Sequence, residues 1–451
     1  MEEYINRSLS DKKYLILTYG CQMNERDSEV LEGYLENMGY CSTTSEKDAD
    51  IILLNTCCVR EKAELKVFGK LGELSKFKKE KPGLIIGVCG CMTQQDEVFQ
   101  RIKTKAPYVD LIFGTYNVHQ LPNLLVKIHN TGDAAYEIWE KEGEIVESEI
   151  SRRVDTIKAY VNISYGCDNF CTYCIVPHVR GRERSRTPDK IVEEIGGLVK
   201  EGYKEIMLLG QNVNSYGKDL DNRFDFADLL VEINNISGLE RIRYMTSHPR
   251  DFTDKLVETI AKCDKVCEHY HLPIQAGSNN ILKAMNRGYT REEYLELVEK
   301  IKAVTPNFSI TTDIIVGFPG ETEEGFRDTL DIVEKVRFDA AYTFAYSPRT
   351  GTPAATMECQ IEDEVKKERL HRLMDLQNKI SLEKNLELVG SNIEILVESL
   401  SKTDSSRLAG RTRTNKIVNF SGDQNLIGKM VNLKITKAQT WNLVGELTVD
   451  N

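Results

Sequence analysis

Three cysteines fall close together in the stretch Tyr165-Gly166-Cys167-Asp168-Asn169-Phe170-Cys171-Thr172-Tyr173-Cys174, at C-x3-C-x2-C spacing on a loop that follows a strand-like run. Three thiolates from one short loop can ligate three irons of a cubane cluster and leave the fourth iron open, which a fully ligated electron carrier does not do. A zinc site competes with that reading, because His178 lies four residues after Cys174 and would complete a Cys3His tetrahedron. No charged-then-apolar leader is visible and no run of about 18 apolar residues occurs, so a cytoplasmic protein without a membrane span is expected. In that reducing setting twelve cysteines point to metal or redox chemistry rather than to a disulfide framework. A net charge of −11 argues against indiscriminate nucleic-acid binding, yet it leaves room for a local basic surface.

The pattern along the chain predicts an α/β protein in three domains, at 12–130, 153–383 and 386–449. In the first, apolar runs at 14–18, 51–54, 84–88 and 109–113 alternate with amphipathic stretches, the signature of a small parallel sheet buried on both faces. Cys21, Cys57 and Cys91 follow the first three of these strands. Ligands gather at the carboxyl ends of strands in open α/β sheets, so these three thiols can converge on a second cluster, again with one iron free. Cys58 adjoins Cys57 and Cys89 lies two before Cys91, so spacing alone does not choose among neighbours. Buried cysteines are also ordinary small hydrophobes, which suits Cys41, Cys58 and Cys89. Residues 131–154 are acidic and read as a linker.

A second βα rhythm follows, with strands expected at 159–163, 206–209, 242–246, 269–273, 310–316 and 341–346. About six units fall short of the eight that close a barrel, which predicts a partial (βα)6 barrel with an open side. Its strands run into polar or glycine-rich turns that suit a nucleoside and an amino-acid head group: Gln211-Asn212, Ser247-His248-Pro249, Gln275-Ala276-Gly277 and Gly317-Phe318-Pro319-Gly320-Glu321. Cys263, Cys267, His269 and His271 imitate a metal site but fit the end of a helix running into a strand, so core positions are expected. Arg180, Arg182, Arg184 and Arg186 directly after the cysteine loop suggest a clamp for RNA phosphates. A long amphipathic helix is expected at 361–388.

The last segment holds about five short β patterns, enough for a small closed barrel of OB-like size. Eight cations face six acids there. That local excess points to RNA, with Phe420 and Trp441 as stacking faces or, equally, as barrel core.

The cysteine loop, with an aromatic residue just before its last cysteine, resembles that of the radical S-adenosylmethionine (SAM) enzymes. Over nearly the whole chain the resemblance narrows to the radical SAM methylthiotransferases, with an N-terminal three-cysteine domain and a C-terminal TRAM domain. Cys21-Gln22-Met23-Asn24, Asn55-Thr56-Cys57-Cys58-Val59-Arg60-Glu61-Lys62-Ala63 and Gly410-Arg411-Thr412-Arg413-Thr414-Asn415-Lys416 are most similar to its MiaB branch, which acts on tRNA. That branch commonly has serine where this chain has Cys58. The resemblance implies two 4Fe-4S clusters, one on Cys167, Cys171 and Cys174 and an auxiliary one on Cys21, Cys57 and Cys91. It also makes the barrel turns SAM-binding, with Tyr173 against the adenine and Gln211, Asn212, Ser247 and Gln275 as contacts.

The implied activity is methylthio transfer to C2 of N6-dimethylallyladenosine beside the anticodon of tRNA. This C–H bond offers no acidic proton and no leaving group, so radical chemistry from a cofactor is required. The implied partners are a tRNA anticodon stem-loop and a reducing electron-transfer protein, acting on a monomer. The alternatives are the same chemistry on threonylcarbamoyl-adenosine or on a ribosomal protein aspartate, and a non-enzymatic zinc protein that binds RNA.

Overall fold

The computed structural model describes residues 11–448 except 59–60, 142, 144, 148–151, 154 and 222. Val59 and Arg60 of the motif quoted above, part of the acidic linker and position 449 of the third expected domain lie outside the described residues. Strands β1 (Lys13–Tyr19), β2 (Cys41–Ser42), β3 (Ile51–Thr56), β4 (Ile85–Gly90), β5 (Leu111–Phe113) and β6 (Ala135–Glu137) form one sheet in the order β2-β1-β3-β4-β5-β6. Every pairing in it is parallel. All residues of β3 and β4 are buried, so these strands show unbroken apolar runs instead of alternation. The sheet extends past the boundary expected at residue 130, because Ala135 of β6 pairs with Leu111. A three-residue strand with one fully buried side chain carries no apolar run by which to find it.

The barrel strands are β7 (Lys158–Asn162), β10 (Glu205–Leu209), β11 (Arg241–Tyr244), β12 (His269–His271), β13 (Ser309–Val316) and β14 (Ala340–Ala345). They form two three-stranded parallel sheets, β11-β10-β7 and β12-β13-β14, joined through a bridge between Ile242 and Val266. Along β13, Ile310, Ile314 and Val316 are buried in the apolar core, whereas Asp313 and Ile315 are partly exposed. Cys263 and Cys267 are buried, and the rings of His269 and His271 each lie 2.9 Å from Thr311 Oγ1, so all four hold structural positions.

A hairpin absent from the sequence expectations, β8 (Ser164–Tyr165) against β9 (Arg184–Ser185), closes the neck of the cysteine loop. The helix Asp363–Leu386 runs back along β14, burying Leu373 and Ile380, while Gln377 Nε2 and Ser381 Oγ donate to the carbonyls of Phe338 and Asp339.

Strands β15 (Asn392–Leu400), β16 (Leu408–Thr412), β17 (Ile417–Phe420), β18 (Met430–Ala438) and β19 (Leu443–Leu447) close a barrel in the order β15-β16-β17-β19-β18. Phe420 is fully buried in its core and offers no stacking face; Trp441 is 62% exposed. The basic loop of this barrel turns toward the central domain. Buried Arg241 and Arg243, on β11, donate to the carbonyls of Arg411, Thr412 and Arg413, and Ser309 Oγ, at the start of β13, donates to the carbonyl of Thr414. The small barrel therefore covers the amino ends of the central strands, opposite the end that carries the cysteine loop.

Candidate metal centres and cofactor site

The loop of Cys167, Cys171 and Cys174 is pinned at both flanks. Gly166 adopts φ +73°, and a Cβ there would lie 1.9 Å from the carbonyl oxygen of Arg182, so only glycine fits the return of the chain past β9. Cys167 N–H donates to the Gly181 carbonyl at 3.1 Å, and Thr172 is held by the carbonyls of Ala284 and Met285. Arg287, itself buried, donates from Nη1 to Cys171 Sγ at 3.2 Å and from Nη2 to the Pro273 carbonyl at 3.0 Å. Burial pushes the Cys167 thiol up to about 11 and the Cys174 thiol up to about 12, so metal loading must displace protons.

Tetrahedral zinc with bonds of about 2.3 Å draws its donors close together, whereas a cubane places each thiolate on a different iron and spreads them. Among the described residues, no group of three or more His, Cys, Asp or Glu side chains is gathered to hold a single ion. The Cys3His tetrahedron with His178 is thus not formed. A cavity beside the loop is lined by Phe170, Cys171, Cys174, His178, Thr352 and Pro353.

At the carboxyl ends of the central strands, buried polar atoms stand without a protein partner: Ser164 Oγ, Asn212 Oδ1, His248 Nε2, Glu321 Oε1 and the Tyr346 hydroxyl. Buried polar atoms are nearly always paired, so these five are open to a polar ligand. Of the expected SAM contacts, Tyr173 packs against the barrel core with its hydroxyl 3.4 Å from Arg287 Nη1. Asn212 donates to Asp251 at 2.7 Å and keeps its oxygen unpaired. Gln275 is buried at φ +71°, with its backbone bridged to β13. Gln211 Nε2 contacts Met23 Sδ at 2.9 Å, and Ser247 Oγ donates to the His271 carbonyl. These last two side chains are therefore engaged within the protein.

The N-terminal cysteines sit at the ends of neighbouring strands. Cys21 caps the helix Gln22–Asn37, with its N–H and Sγ both directed at Asn24 Oδ1. Cys57 follows β3 and Cys91 follows β4, after a Gly90 at φ +96° whose Cβ would lie 2.5 Å from the Thr56 oxygen. Arg180 is buried between the domains and donates from Nε to Cys91 Sγ at 3.1 Å and from Nη2 to Asp27 at 2.7 Å. Cys58 donates to Cys91, and this hydrogen bond, with help from Arg180 and against the effect of burial, draws the Cys91 thiol down to about 6. Cys89 lies in the sheet core, and Cys41 is exposed on β2.

The short helix Val176–Arg180 joins the two regions: Ile175 and Val179 pack with Cys58 and Cys91, and Thr115 Oγ1 donates to the Val179 carbonyl at 2.5 Å.

The expected arginine clamp for phosphate is overturned at three of its four positions. Arg180 is spent on Cys91 and Asp27, Arg184 donates to the Gly143 carbonyl, and Arg186 pairs with Glu147 and Glu194 at 2.6 Å each. Arg182 is exposed, paired with Asp168 at 2.9 Å and placed over the Phe170 ring. The partners Asp27 and Glu147 are remote in sequence, so charge pattern alone could not reveal them. Arg287 was missed because nothing in Asn286-Arg287-Gly288 distinguishes it from an ordinary turn.

The barrel, its three-cysteine loop and the small C-terminal barrel define the class, a radical SAM protein carrying a TRAM module. The Radical SAM superfamily matches residues 161–333, the TRAM domain matches 386–448, and a family described as Uncharacterized protein family UPF0004 matches 13–114. A protein of Desulforamulus reducens named tRNA-2-methylthio-N(6)-dimethylallyladenosine synthase is 58% identical over 99% of this chain and 98% of its own length. Proteins of the same name from Alkaliphilus oremlandii and Pelotomaculum thermopropionicum are also 58% identical, each over 97% of this chain and 93% and 98% of their own lengths. The chain belongs to the tRNA-2-methylthio-N(6)-dimethylallyladenosine synthase family. Among solved structures, a radical S-adenosylmethionine methyltransferase from Kitasatospora setae aligns at TM-score 0.56 and 16% identity, covering 76% of this chain and 75% of that one. A cobalamin-dependent S-adenosylmethionine radical enzyme aligns at 0.53 and 15%, covering 82% and 56%. Both share the fold.

Proposed function

We infer that this chain transfers a methylthio group to C2 of N6-dimethylallyladenosine beside the anticodon of tRNA. Two cysteine trios, at the carboxyl ends of strands in adjoining domains and linked by one five-residue helix, carry the inference. The full-length relatives supply the substrate. Cys167, Cys171 and Cys174 would hold one 4Fe-4S cluster; Cys21, Cys57 and Cys91 would hold the auxiliary one. SAM and the two clusters, when bound, supply the radical and sulfur-transfer chemistry.

The chain's own groups do the rest. Tyr173, Asn212 and Gln275 offer a ring, an unmet acceptor and a strained turn at the head of the barrel for SAM. Arg180 and Arg287 hold one sulfur of each trio in place. The helix Val176–Arg180 joins the loop of one trio to the residues around the other, and the target base would reach them flipped out of its stack.

The functional setting is a cytoplasmic monomer that meets a reducing electron-transfer protein and a tRNA anticodon stem-loop. Among the described residues no helix is long and apolar enough to cross a membrane, and the TRAM module supports the RNA partner.

The test is anaerobic reconstitution with iron and sulfide, then incubation with SAM, dithionite and tRNA bearing dimethylallyladenosine. Nucleoside mass spectrometry should show the methylthio product from that tRNA and none from tRNA bearing threonylcarbamoyl-adenosine. Product from the latter alone would reassign the substrate.

A further inference from the structure

Two buried arginines occupy matching positions in the two halves of the site, and each donates to one sulfur of one trio. Arg180 Nε lies 3.1 Å from Cys91 Sγ, and Arg287 Nη1 lies 3.2 Å from Cys171 Sγ. Their exposures are 5% and 4%, so neither charge is screened by solvent. Their surroundings differ. Arg180 is neutralised by Asp27 at 2.7 Å, whereas Arg287 is held by the Pro273 carbonyl at 3.0 Å and the Tyr289 hydroxyl at 3.1 Å. Among the described residues no carboxylate pairs with Arg287. It is thus a bare guanidinium, and Arg180 is one half of an ion pair.

Adding an electron to a cubane cluster makes it more negative. A cationic donor on a ligating sulfur favours that reduced form, and its effect grows with burial and net local charge. We propose that Arg287 and Arg180 are positioning residues that set the reduction potentials of the two clusters independently, Arg287 strongly for the loop cluster and Arg180 more weakly for the auxiliary one. The proposal rests on the two-cluster assignment above. It gives a reason for the asymmetry: one external electron delivered by a reductant is directed to the loop cluster, while the auxiliary site, whose cation is already paired, gains less.

The holoprotein is titrated with dithionite and the reduced clusters are followed by electron paramagnetic resonance. The two signals are identified by comparison with full-length chains in which one trio is changed to alanine. Arg287→Gln should lower the reduction equilibrium constant of the loop cluster about tenfold, about 59 mV for one electron, and leave the auxiliary signal in place. Arg180→Gln should lower only the auxiliary midpoint, and by less. If a glutamine variant loads less iron, the methionine variant is read instead at equal iron content, since it also removes the charge while filling the site and should shift the midpoint in the same direction. Midpoints equal to those of the unsubstituted chain at equal iron content, or both clusters shifting together, would overturn the proposal. Failure of the unsubstituted chain to bind iron would sink the functional inference itself.

Discussion

Cys57 and Cys58 are neighbours with different environments, and only one need be a ligand. Cys57 N–H is fixed to the Tyr19 carbonyl at 2.9 Å as β3 ends, while Cys58 is turned onto Cys91 and packs with Ile175 and Val179. With Cys57 as the ligand, Cys57→Ser should cost the auxiliary cluster, roughly half the bound iron. Cys58→Ser, which keeps a donor toward Cys91, should leave iron content unchanged. Iron and sulfide counts on anaerobically reconstituted protein check both. The sequence placed these thiols after a strand, but a donor relation between Cys58 and Cys91 depends on side-chain direction, which strand spacing does not encode. A second residue-scale prediction concerns Glu183. Burial raises its carboxyl to about 7 from an ordinary 4.5. Between these values the unfolded chain has released a proton that the native chain still holds, so stability falls as pH rises through that window and levels off above it. Glu183→Gln should flatten the fall, read as urea midpoints at pH 5 and pH 8.

At the scale of elements, the segment from Val176 to Ser185 is a packed connection between domains rather than the RNA clamp its charge pattern suggests. Arg180, Arg184 and Arg186 are turned inward to Asp27, the Gly143 carbonyl, Glu147 and Glu194, while Arg182 between them stays exposed against the cysteine loop. Arg186, Arg26 and Arg153 share Glu194, and Arg26 and Arg153 also reach Glu29. Removing one partner from a buried ionic network leaves charges without compensation, typically at a cost of about 3–5 kcal/mol. Glu194→Ala should therefore destabilise the chain by about 3 kcal/mol, seen as a lower urea midpoint, with little change in the salt dependence of tRNA binding. The strands and helices themselves were legible, because the β3 and β4 runs and the alternation in the small barrel follow directly from which faces are buried. The β8–β9 hairpin and β6 were not, since two- and three-residue strands are fixed by tertiary contacts rather than by local pattern.

For the molecule as a whole, the docking of the small barrel decides which of its cations can meet RNA. Arg411, Arg413 and Lys416, the basic loop that carried the family resemblance, are tied to Glu398, Glu268 and Asp339 within the protein. Lys402, Lys429, Lys434 and Lys437 remain exposed, as does Trp441 at the turn between β18 and β19, whose backbone carbonyls at 439 and 440 are held by Asn385. Two substitutions should therefore separate structure from recognition. Trp441→Ala removes an outward ring and should weaken tRNA binding by about 1–3 kcal/mol, the usual range for one base–aromatic stack, while the melting temperature stays put. Arg413→Ala removes the contacts to Glu268 and to the Val266 carbonyl at 2.7 Å. It should lower the melting temperature, and any loss of affinity should follow the loss of folded protein. Filter binding across salt concentrations, paired with calorimetry, reads both quantities. If Arg413→Ala instead lowered affinity in fully folded protein and reduced the salt slope by about 0.7–0.9, the signature of one lost phosphate contact, the basic loop would have to leave its dock when tRNA binds.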